Sequence, residues 1–237
     1  MQSEIRTPRE LLNDDGKLNG EGYAVLPHWQ YRRNRVRAPW YRIKEWDYYA
    51  VIDQESGIGI TLTASDLGYA GLWALCLVDL SSGTWQQTDT MTLLPAGKSG
   101  FAETAEEEHI ISFADKTLSV TIDRRGDERL IAFSCDSFLW KGERGLEGEI
   151  ALHQPSEQER MVIATSWAHK RSAFYYNQKI NCMPARGYLR AGTEEHRFAP
   201  ETSFGVLDWG RGNWTYRNRW FWGSASGTVE GVPFGFN

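Results

Sequence analysis

The chain of 237 residues has few of the features that mark whole classes of protein. Its three cysteines, Cys76, Cys135 and Cys182, are scattered and form no C-x-x-C pair, which argues against the disulfide framework of a small secreted domain. No apolar run reaches the roughly 18 residues of a membrane span, and the N-terminus has no basic region followed by an apolar stretch. We therefore expect a cytoplasmic protein with reduced cysteines and no membrane partner.

The chain also has no excess of positive charge. Lysine and arginine number 26 against 31 acidic residues, which gives a formal net charge of −5 and a pI near 5.6. Because binding to phosphate backbones needs a basic face, nucleic acid is excluded as the main partner. An acidic balance favours an enzyme or a protein that binds a small-molecule ligand.

Sequence motifs for cofactors and metals are missing as well. The histidines, His28, His109, His153, His169 and His196, are far apart and give no HxH, HxxxH or HExxH spacing. There is no G-x-S-x-G elbow, no Walker loop, and no G-x-G-x-x-G between a strand and a helix. We expect neither a metal nor a cofactor, with His169 the best candidate if the fold assembled a metal site.

What the sequence does contain is alternation with a period of two. Apolar and polar residues alternate over 118–123 and 149–153, and turn signals stand at 114–116, 124–127 and 141–145. This pattern is typical of antiparallel strands joined in a meander. We therefore predict an all-β protein that forms a barrel or a sandwich.

Three further segments carry local predictions. Leu72–Leu80 is apolar on both faces and is either a central strand or a short helix, and its length and the turn at 81–83 favour the strand. Residues 7–12 could begin a helical turn. Residues 174–183 place two sets of side chains on opposite faces of a strand. One set is Phe174, Tyr176, Gln178, Ile180 and Cys182, and the other is the more polar Tyr175, Asn177, Lys179 and Asn181. The second face has the composition of a binding surface.

A basic and aromatic strip runs from Tyr31 to Trp46. Its members are Arg32, Arg33, Arg35, Arg37, Arg42 and Lys44, interleaved with Trp40, Tyr41 and Trp46. Single-stranded nucleic acid grooves combine arginine with stacking rings in this way. A strand edge that is solvated, or paired internally with Glu103 and residues 106–108, is favoured because the whole chain is acidic. An intermediate alternative is an anionic group on a small ligand.

The densest feature is residues 204–227, where four of the eleven tryptophans surround one acid, Asp208. A carboxyl group among tryptophan rings is desolvated, and this favours its protonated form, so Asp208 is the candidate general acid. An arginine paired with Asp208 would instead make it a structural brace, and Arg211, Arg217 and Arg219 are the candidates. Gly210–Gly212 is interpreted as a tight backbone turn beside bulky rings. The candidate ligand-binding residues are Trp209, Arg211, Trp214, Tyr216, Arg219, Trp222, Asn181, Arg186, Trp46 and Tyr69.

Two runs, 179–187 and 204–217, resemble the signature of a bacterial family known as domain of unknown function 2804. The likeness covers nearly the whole chain and includes residues 16–19, 42–49 and 64–71. Members of that family usually continue well past the equivalent of Asn237. We therefore expect this chain to be either a natural short form or a fragment, in both cases without part of the usual site.

A more distant resemblance concerns the lipocalin-like carotenoid hydratases. Asp208-Trp209-Gly210, followed by residues 220–223, is similar in layout to their Asp-x-x-Trp-Gly and Trp-Tyr-Trp-Gly motifs. The histidine that accompanies the acid there is absent here, since Leu207 and Trp209 flank Asp208. The resemblance implies paired lipocalin-like barrels. We predict one barrel over residues 1–165, with 166–237 either beginning a second barrel or closing the first.

Three functions follow from these residues and resemblances. The favoured one is binding of a small, apolar ligand, with Asp208 as proton donor and the rings of Trp209, Trp214, Tyr216 and Trp222 stabilising a developing cation. The second is a non-catalytic binder in which Arg186 or Arg211 holds an anionic group of the ligand. The third is a carbohydrate-active protein in which Asp208 works with a second acid, Asp66 or Glu201. The sequence does not indicate an oligomeric state.

Overall fold

A computed structural model describes residues 3–237. Strands make up 60% of the structure and helices 3%. The sheet is antiparallel and curls into a half-barrel, so the predicted all-β, lipocalin-like fold class is confirmed. The described residues contain two short 3₁₀ helices, Arg33–Arg35 and Trp40–Arg42. They contain no helix with the length and apolar character needed to cross a bilayer.

The strands of the described residues are, in chain order, β1 Arg9–Glu10, β2 Gly22–Ala24, β3 Trp29–Gln30, β4 Ile43–Asp53, β5 Ile58–Asp66, β6 Ala70–Asp79, β7 Thr84–Leu93, β8 His109–Ala114, β9 Ser119–Arg125, β10 Glu128–Trp140, β11 Glu143–His153, β12 Met161–Trp167, β13 Lys170–Ala191, β14 Glu194–Phe198, β15 Ser203–Asn213, β16 Ala225–Val229 and β17 Val232–Phe236.

One large sheet organises the molecule. Its strand order is β7-β6-β5-β4-β15-β13-β11-β10-β9-β8, while β12 and β14 pair with β13, and β2 pairs with β12. Two meanders, β4 to β7 and β8 to β11, lie on either side of the β15–β13 pair. The long strand β13 joins them, since its first half pairs with β12 and β15 and its second half with β11 and β14. Strands from both sides of residue 165 therefore share one sheet, and the proposed division there stays a prediction.

The alternation in the sequence matches the two faces of this sheet. Along β4 the odd-numbered residues are buried and the even-numbered ones are partly exposed. Leu75, Leu77, Ile122 and Phe138 lie on the enclosed side with no exposed surface. The predicted meander is confirmed as β8 to β11, and Leu72–Leu80 is a strand, almost all of it within β6. The core therefore lies on the concave side of the half-barrel.

Two local predictions are wrong. Residues 7–12 form no helical turn, because Arg9–Glu10 is strand β1, which pairs in parallel with β3 and so lets Leu11 and Leu12 be buried. The alternation predicted over 174–183 holds only as far as Ile180. There the pairing with β15 shifts register, and Cys182 adopts a φ of 58°. Such a bulge re-aims the side chains that follow it.

Candidate functional site

Strand β15 separates two chemical environments. Asp208 lies on the outer face of the sheet, whereas Trp209 and Arg211 point into the enclosed core and have no exposed surface. Neighbouring residues of a strand point to opposite faces, so a site at Asp208 does not contain the ring of Trp209. Asp208 and its two neighbours therefore do not form one group, since Asp208 lies outside and Trp209 and Arg211 lie inside.

Asp208 is held by three donors on the outer face. The ammonium group of Lys179, which is opposite Asp208 in the β13–β15 register, forms an ion pair with Oδ2. Nδ2 of Asn177 donates to Oδ1 at 2.6 Å, and Nε1 of Trp46 donates to the same oxygen at 3.2 Å. The ionic partner is therefore a lysine, and none of the three arginines proposed for this role pairs with Asp208 within the described chain.

Burial sets the electrostatics of this pair. The side chain of Lys179 is 6% exposed and that of Asp208 is 14% exposed. Burial lowers the pKa of Lys179 below its ordinary value, although the charge of Asp208 opposes the shift. Burial likewise raises the pKa values of Tyr48 and Tyr175, and the Asp208 carboxylate adds to both shifts. Of these groups, Lys179 is the one whose proton is made easier to remove.

Aromatic side chains enclose the ion pair. The ring of Trp46 stacks on Tyr175 with centroids 6.1 Å apart and meets Trp214 edge to face at 5.1 Å. The ring of Trp222 meets Tyr48 at 5.7 Å and lies 5.4 Å from Nζ of Lys179. We call these five residues the aromatic cluster. Its rings surround a lysine and a carboxylate that are close to solvent.

The Gly-Arg-Gly sequence at 210–212 makes room for the aromatic cluster. Its interpretation as a tight turn is wrong, because all three residues lie within β15. A Cβ atom on Gly210 would come within 1.9 Å of Cζ2 of Trp46. One on Gly212 would lie 2.5 Å from the carbonyl oxygen of Phe174. The glycines are needed for the close approach of neighbouring strands and rings.

We expect Gly210→Ala to lower the free energy of unfolding by about 1 to 3 kcal/mol, as overpacking does, because Trp46 must move. The same movement breaks the hydrogen bond from Trp46 to Asp208. Urea unfolding measures the first effect and near-ultraviolet circular dichroism of the tryptophans the second. Gly223→Ala is the matched control, since a Cβ there meets no atom within 4 Å. Equal effects of the two variants would contradict this role of Gly210.

A second polar group is buried on the concave side. Nη1 of Arg211 donates to Oδ1 of Asp47 at 2.9 Å, and both side chains are fully buried. Glu45, at 3% exposure, accepts a hydrogen bond from the Tyr31 hydroxyl at 3.0 Å and pairs with Arg33. Burial raises the pKa of Glu45, while the two arginines act to lower it. Arg211, predicted to bind ligand, is here a core residue that neutralises acids.

Residues 101–107 lie against this buried group. Nε and Nη2 of Arg211 donate to the carbonyl oxygen of Ala102 at 3.2 and 3.0 Å. Nη2 of the buried Arg129 donates to the carbonyl oxygen of Ala105 at 2.6 Å. Glu103 forms an ion pair with Arg32, so the predicted internal pairing of the basic strip is found at this position. The segment thus covers the concave side of the sheet.

Comparison with known proteins assigns the chain to a family. The sequence model described as "Domain of unknown function (DUF2804)" matches residues 2–237. The chain belongs to this family. The resemblance based on residues 179–187 and 204–217 is thereby confirmed. No curated protein matches the sequence significantly.

Several solved structures are similar to this member of the family. CghA with Sch210972 has 14% identity and a TM-score of 0.42 over 71% of this chain and 45% of that chain. A second structure of CghA has 14% identity and a TM-score of 0.44 over 73% of this chain and 46% of that chain. Kievitone hydratase from Nectria haematococca has 12% identity and a TM-score of 0.42 over 71% of this chain and 48% of that chain. The chain spans less than half of the length of each of these proteins.

The remaining predicted ligand-binding residues are dispersed in this family member. Nδ2 of Asn181 donates to Oγ of Ser224 at 2.8 Å and to two carbonyl oxygens of the β16–β17 hairpin, so it anchors that hairpin. Arg186 is exposed and paired with Glu128 at 2.6 Å, in the half of β13 that pairs with β11. Arg219 is exposed in the segment after β15. Their ligand-binding roles stay predictions.

Tyr69 lies in the turn before β6, beside Lys44. Its ring is half-exposed, and Nζ of Lys44 stands 4.2 Å from the ring centroid. Burial, with a contribution from Arg42, lowers the pKa of Lys44 to about 8. Tyr69 thus contacts a second lysine and not the aromatic cluster members given above.

The acids considered as partners of Asp208 have other surroundings. Asp66 is fully buried, and its oxygens accept hydrogen bonds from the backbone N–H groups of Gly68 and Gly97 and from the hydroxyl of Ser99. These contacts fix the turn before β6 and the loop after β7. Glu201 is exposed in the turn between β14 and β15. The observed neighbour of Asp208 is a lysine, whereas a two-carboxylate mechanism needs a second acid beside it.

Sequence reasoning missed Lys179 and Asn177 as members of the site, although the signal was present. Both belong to the polar and aromatic face predicted for 174–183, together with Tyr175. The alternation identified the face, but the pairing register of β13 with β15 was needed to place it beside Asp208. Lys179 is 29 residues from Asp208, and the sequence alone does not fix which residues of two separate strands lie opposite each other.

Proposed function

We propose that the protein binds a small, mainly apolar ligand at the aromatic cluster and that the Lys179–Asp208 pair exchanges a proton with it. The observation that carries the proposal is this ion pair, enclosed by rings on a partly accessible face of the sheet. Removing two charges from water is costly, and buried ion pairs are weak sources of stability. Residues with perturbed protonation equilibria in such surroundings are candidates for function.

The roles of the two charged residues differ from those expected from the sequence. A carboxylate that accepts a hydrogen bond from an ammonium group has no proton to give while the pair is intact. We therefore assign the transferable proton to Nζ of Lys179, whose pKa is lowered by burial. On transfer the amine becomes neutral, the ligand gains the proton, and the negative charge of Asp208 stays to stabilise the positive charge that develops on the ligand.

The rings supply the apolar part of the proposed site. Trp222 lies on the segment between β15 and β16, which has no regular secondary structure, and its ring is 43% exposed. Aromatic faces both bury apolar ligand surface and stabilise a positive charge above them.

Binding is tested with N-phenyl-1-naphthylamine, a neutral apolar fluorophore. We expect saturable fluorescence enhancement with the wild-type protein and about tenfold weaker binding with Trp222→Ala, the loss of roughly one well-packed ring contact. Trp85→Ala is the matched control, because Trp85 is an exposed tryptophan on β7. Equal affinity of Trp222→Ala and the wild type would refute binding at the aromatic cluster.

Proton exchange is tested separately by incubating a panel of alkenes and enones with the protein in D₂O and measuring deuterium incorporation by mass spectrometry. We expect incorporation with the wild type and its loss in Lys179→Met and in Asp208→Asn, while the fluorophore still binds to Asp208→Asn. Binding without incorporation from any compound would favour the non-catalytic binder, and incorporation that persists in Lys179→Met would reject the assignment of the proton.

A further inference from the structure

A separate cavity of about 430 Å³ lies at one end of the three central strands. It is lined by Arg42, His169, Lys170, Thr215, Tyr216 and Arg217. Three chain segments meet here for a topological reason. Strand β4 begins at Ile43, which is opposite the last residue of β15, Asn213, and Asn213 is opposite Phe174 near the beginning of β13. Antiparallel neighbours thus bring the flanking residues of all three strands to the same end of the sheet.

The lining of this cavity is positively charged although the chain is acidic. Arg42, Lys170 and Arg217 contribute three cations and the lining contains no acid. Within residues 3–237, none of the three lies within ion-pair distance of a carboxylate, unlike the neighbouring Arg171, which pairs with Glu21. Like charges that converge without a counter-charge repel one another, and an anion between them relieves that repulsion.

The cavity also contains a guanidinium group that is held in place and an aromatic ring that is exposed. Nη2 of Arg42 donates to the carbonyl oxygen of Trp214, which holds the guanidinium group in place at the cavity wall. The centre of this guanidinium lies 6.0 Å from the ring centroid of Tyr216, and that ring is 89% exposed. A fixed guanidinium provides directional donors for an oxyanion, and an exposed ring beside it provides a surface on which a planar group can stack.

We infer that this cavity binds the carboxylate or phosphate group of a small aromatic molecule. Arg42, Lys170 and Arg217 would bind the oxyanion, and the planar group of the ligand would stack on Tyr216. The inference rests on the cavity and its unpaired cations, and not on proton exchange at Lys179. Arg42 belongs to the basic and aromatic strip, for which an anionic group on a small ligand was among the alternatives.

Isothermal titration calorimetry with phenyl phosphate and with benzoate tests the inference and distinguishes the two anions. We expect saturable binding of at least one of them below about 10 mM, and roughly tenfold weaker binding in Lys170→Gln and in Arg217→Gln, because each removes a charge-assisted hydrogen bond. The matched control is Arg171→Gln, which removes the same charge next to Lys170 from a side chain that pairs with Glu21 and does not line the cavity. It is expected to change the affinity less than about twofold.

Three outcomes would overturn the inference. The first is no saturable binding of either anion. The second is an equal loss in Arg171→Gln and Arg217→Gln, which would indicate general electrostatic attraction. The third is unchanged affinity in Lys170→Gln. Tyr216→Ala is expected to abolish the preference for phenyl phosphate over inorganic phosphate without abolishing phosphate binding. Retained anion binding in Asp208→Asn would show that this cavity works independently of the proposed proton-exchange site, so failure of one proposal leaves the other testable.

Discussion

Replacing Arg211 by methionine is expected to lower the free energy of unfolding by about 3 to 5 kcal/mol, the cost of breaking a buried ion pair by removing one partner. The guanidinium donates to Oδ1 of Asp47 at 2.9 Å, and it also bonds to the carbonyl oxygens of Trp46, Gly210 and Ala102. Methionine fills much of the same volume but provides no donor. The fully buried Asp47 side chain would then lose its arginine partner.

The measurement is urea unfolding of Arg211→Met, with Arg219→Met as the matched control. Arg219 is exposed, and its replacement is expected to change the free energy of unfolding by less than about 0.5 kcal/mol. Combining Arg211→Met with Asp47→Asn should recover part of the loss, because the double variant no longer buries a carboxyl group without its arginine partner. A loss below about 1 kcal/mol in Arg211→Met would show that the buried pair contributes little.

The segment that covers the concave side would lose hydrogen bonds in Arg211→Met. The carbonyl oxygen of Ala102 receives two hydrogen bonds from Arg211 and would lose both. The carbonyl oxygen of Ala105 would keep its bond from Arg129. Residues 101–103 should therefore exchange their amide hydrogens faster in Arg211→Met, whereas residues near Ala105 should change less.

The fold class was predictable because strands leave a local signal. The alternation over 118–123 and 149–153 follows from one face of β9 and of β11 being buried, and the glycine-containing turns mark where each strand ends. Residues 7–12 could not be predicted in this way. Strand β1 has only two residues and depends on pairing with β3, twenty residues along the chain, so no periodicity could develop.

The candidate site was predictable only in part, and the reason is again pairing. Asp208 could be identified because it is a lone acid among tryptophans, but its partners come from β4 and β13. Grouping Asp208 with Trp209 and Arg211 relied on closeness in sequence, which in a strand places neighbours on opposite faces. Applying the period of two to β15, as was done for 174–183, would have separated them.

The prediction that bears most directly on the proposed function concerns the charge of Lys179. Asp208→Asn keeps an oxygen that can accept from Trp46 and Asn177, but it removes the counter-charge of the ammonium group. We expect it to lower the free energy of unfolding by up to about 3 kcal/mol near neutral pH, less than the full cost at a wholly buried pair because Asp208 is partly exposed. The double variant Lys179→Met/Asp208→Asn should lose less than the sum of the two single changes, with a coupling of about 1 kcal/mol or more.

The pH dependence identifies the responsible group. In the folded protein the pKa of Lys179 is already below its ordinary value of 10.5, and removing Asp208 takes away an interaction that raises it. Between the lowered folded value and 10.5 the unfolded chain binds a proton that the folded chain does not, so stability rises with pH across that window. The window is wider in Asp208→Asn. The amount by which its free energy of unfolding falls below that of the wild type should therefore shrink as the pH is raised from about 7 to about 10. The double variant lacks the titrating amine and should show no such recovery. An equal deficit of Asp208→Asn at both pH values would mean that the unpaired charge of Lys179 is not the cause, and the assignment of the transferable proton to this lysine would lose its electrostatic basis.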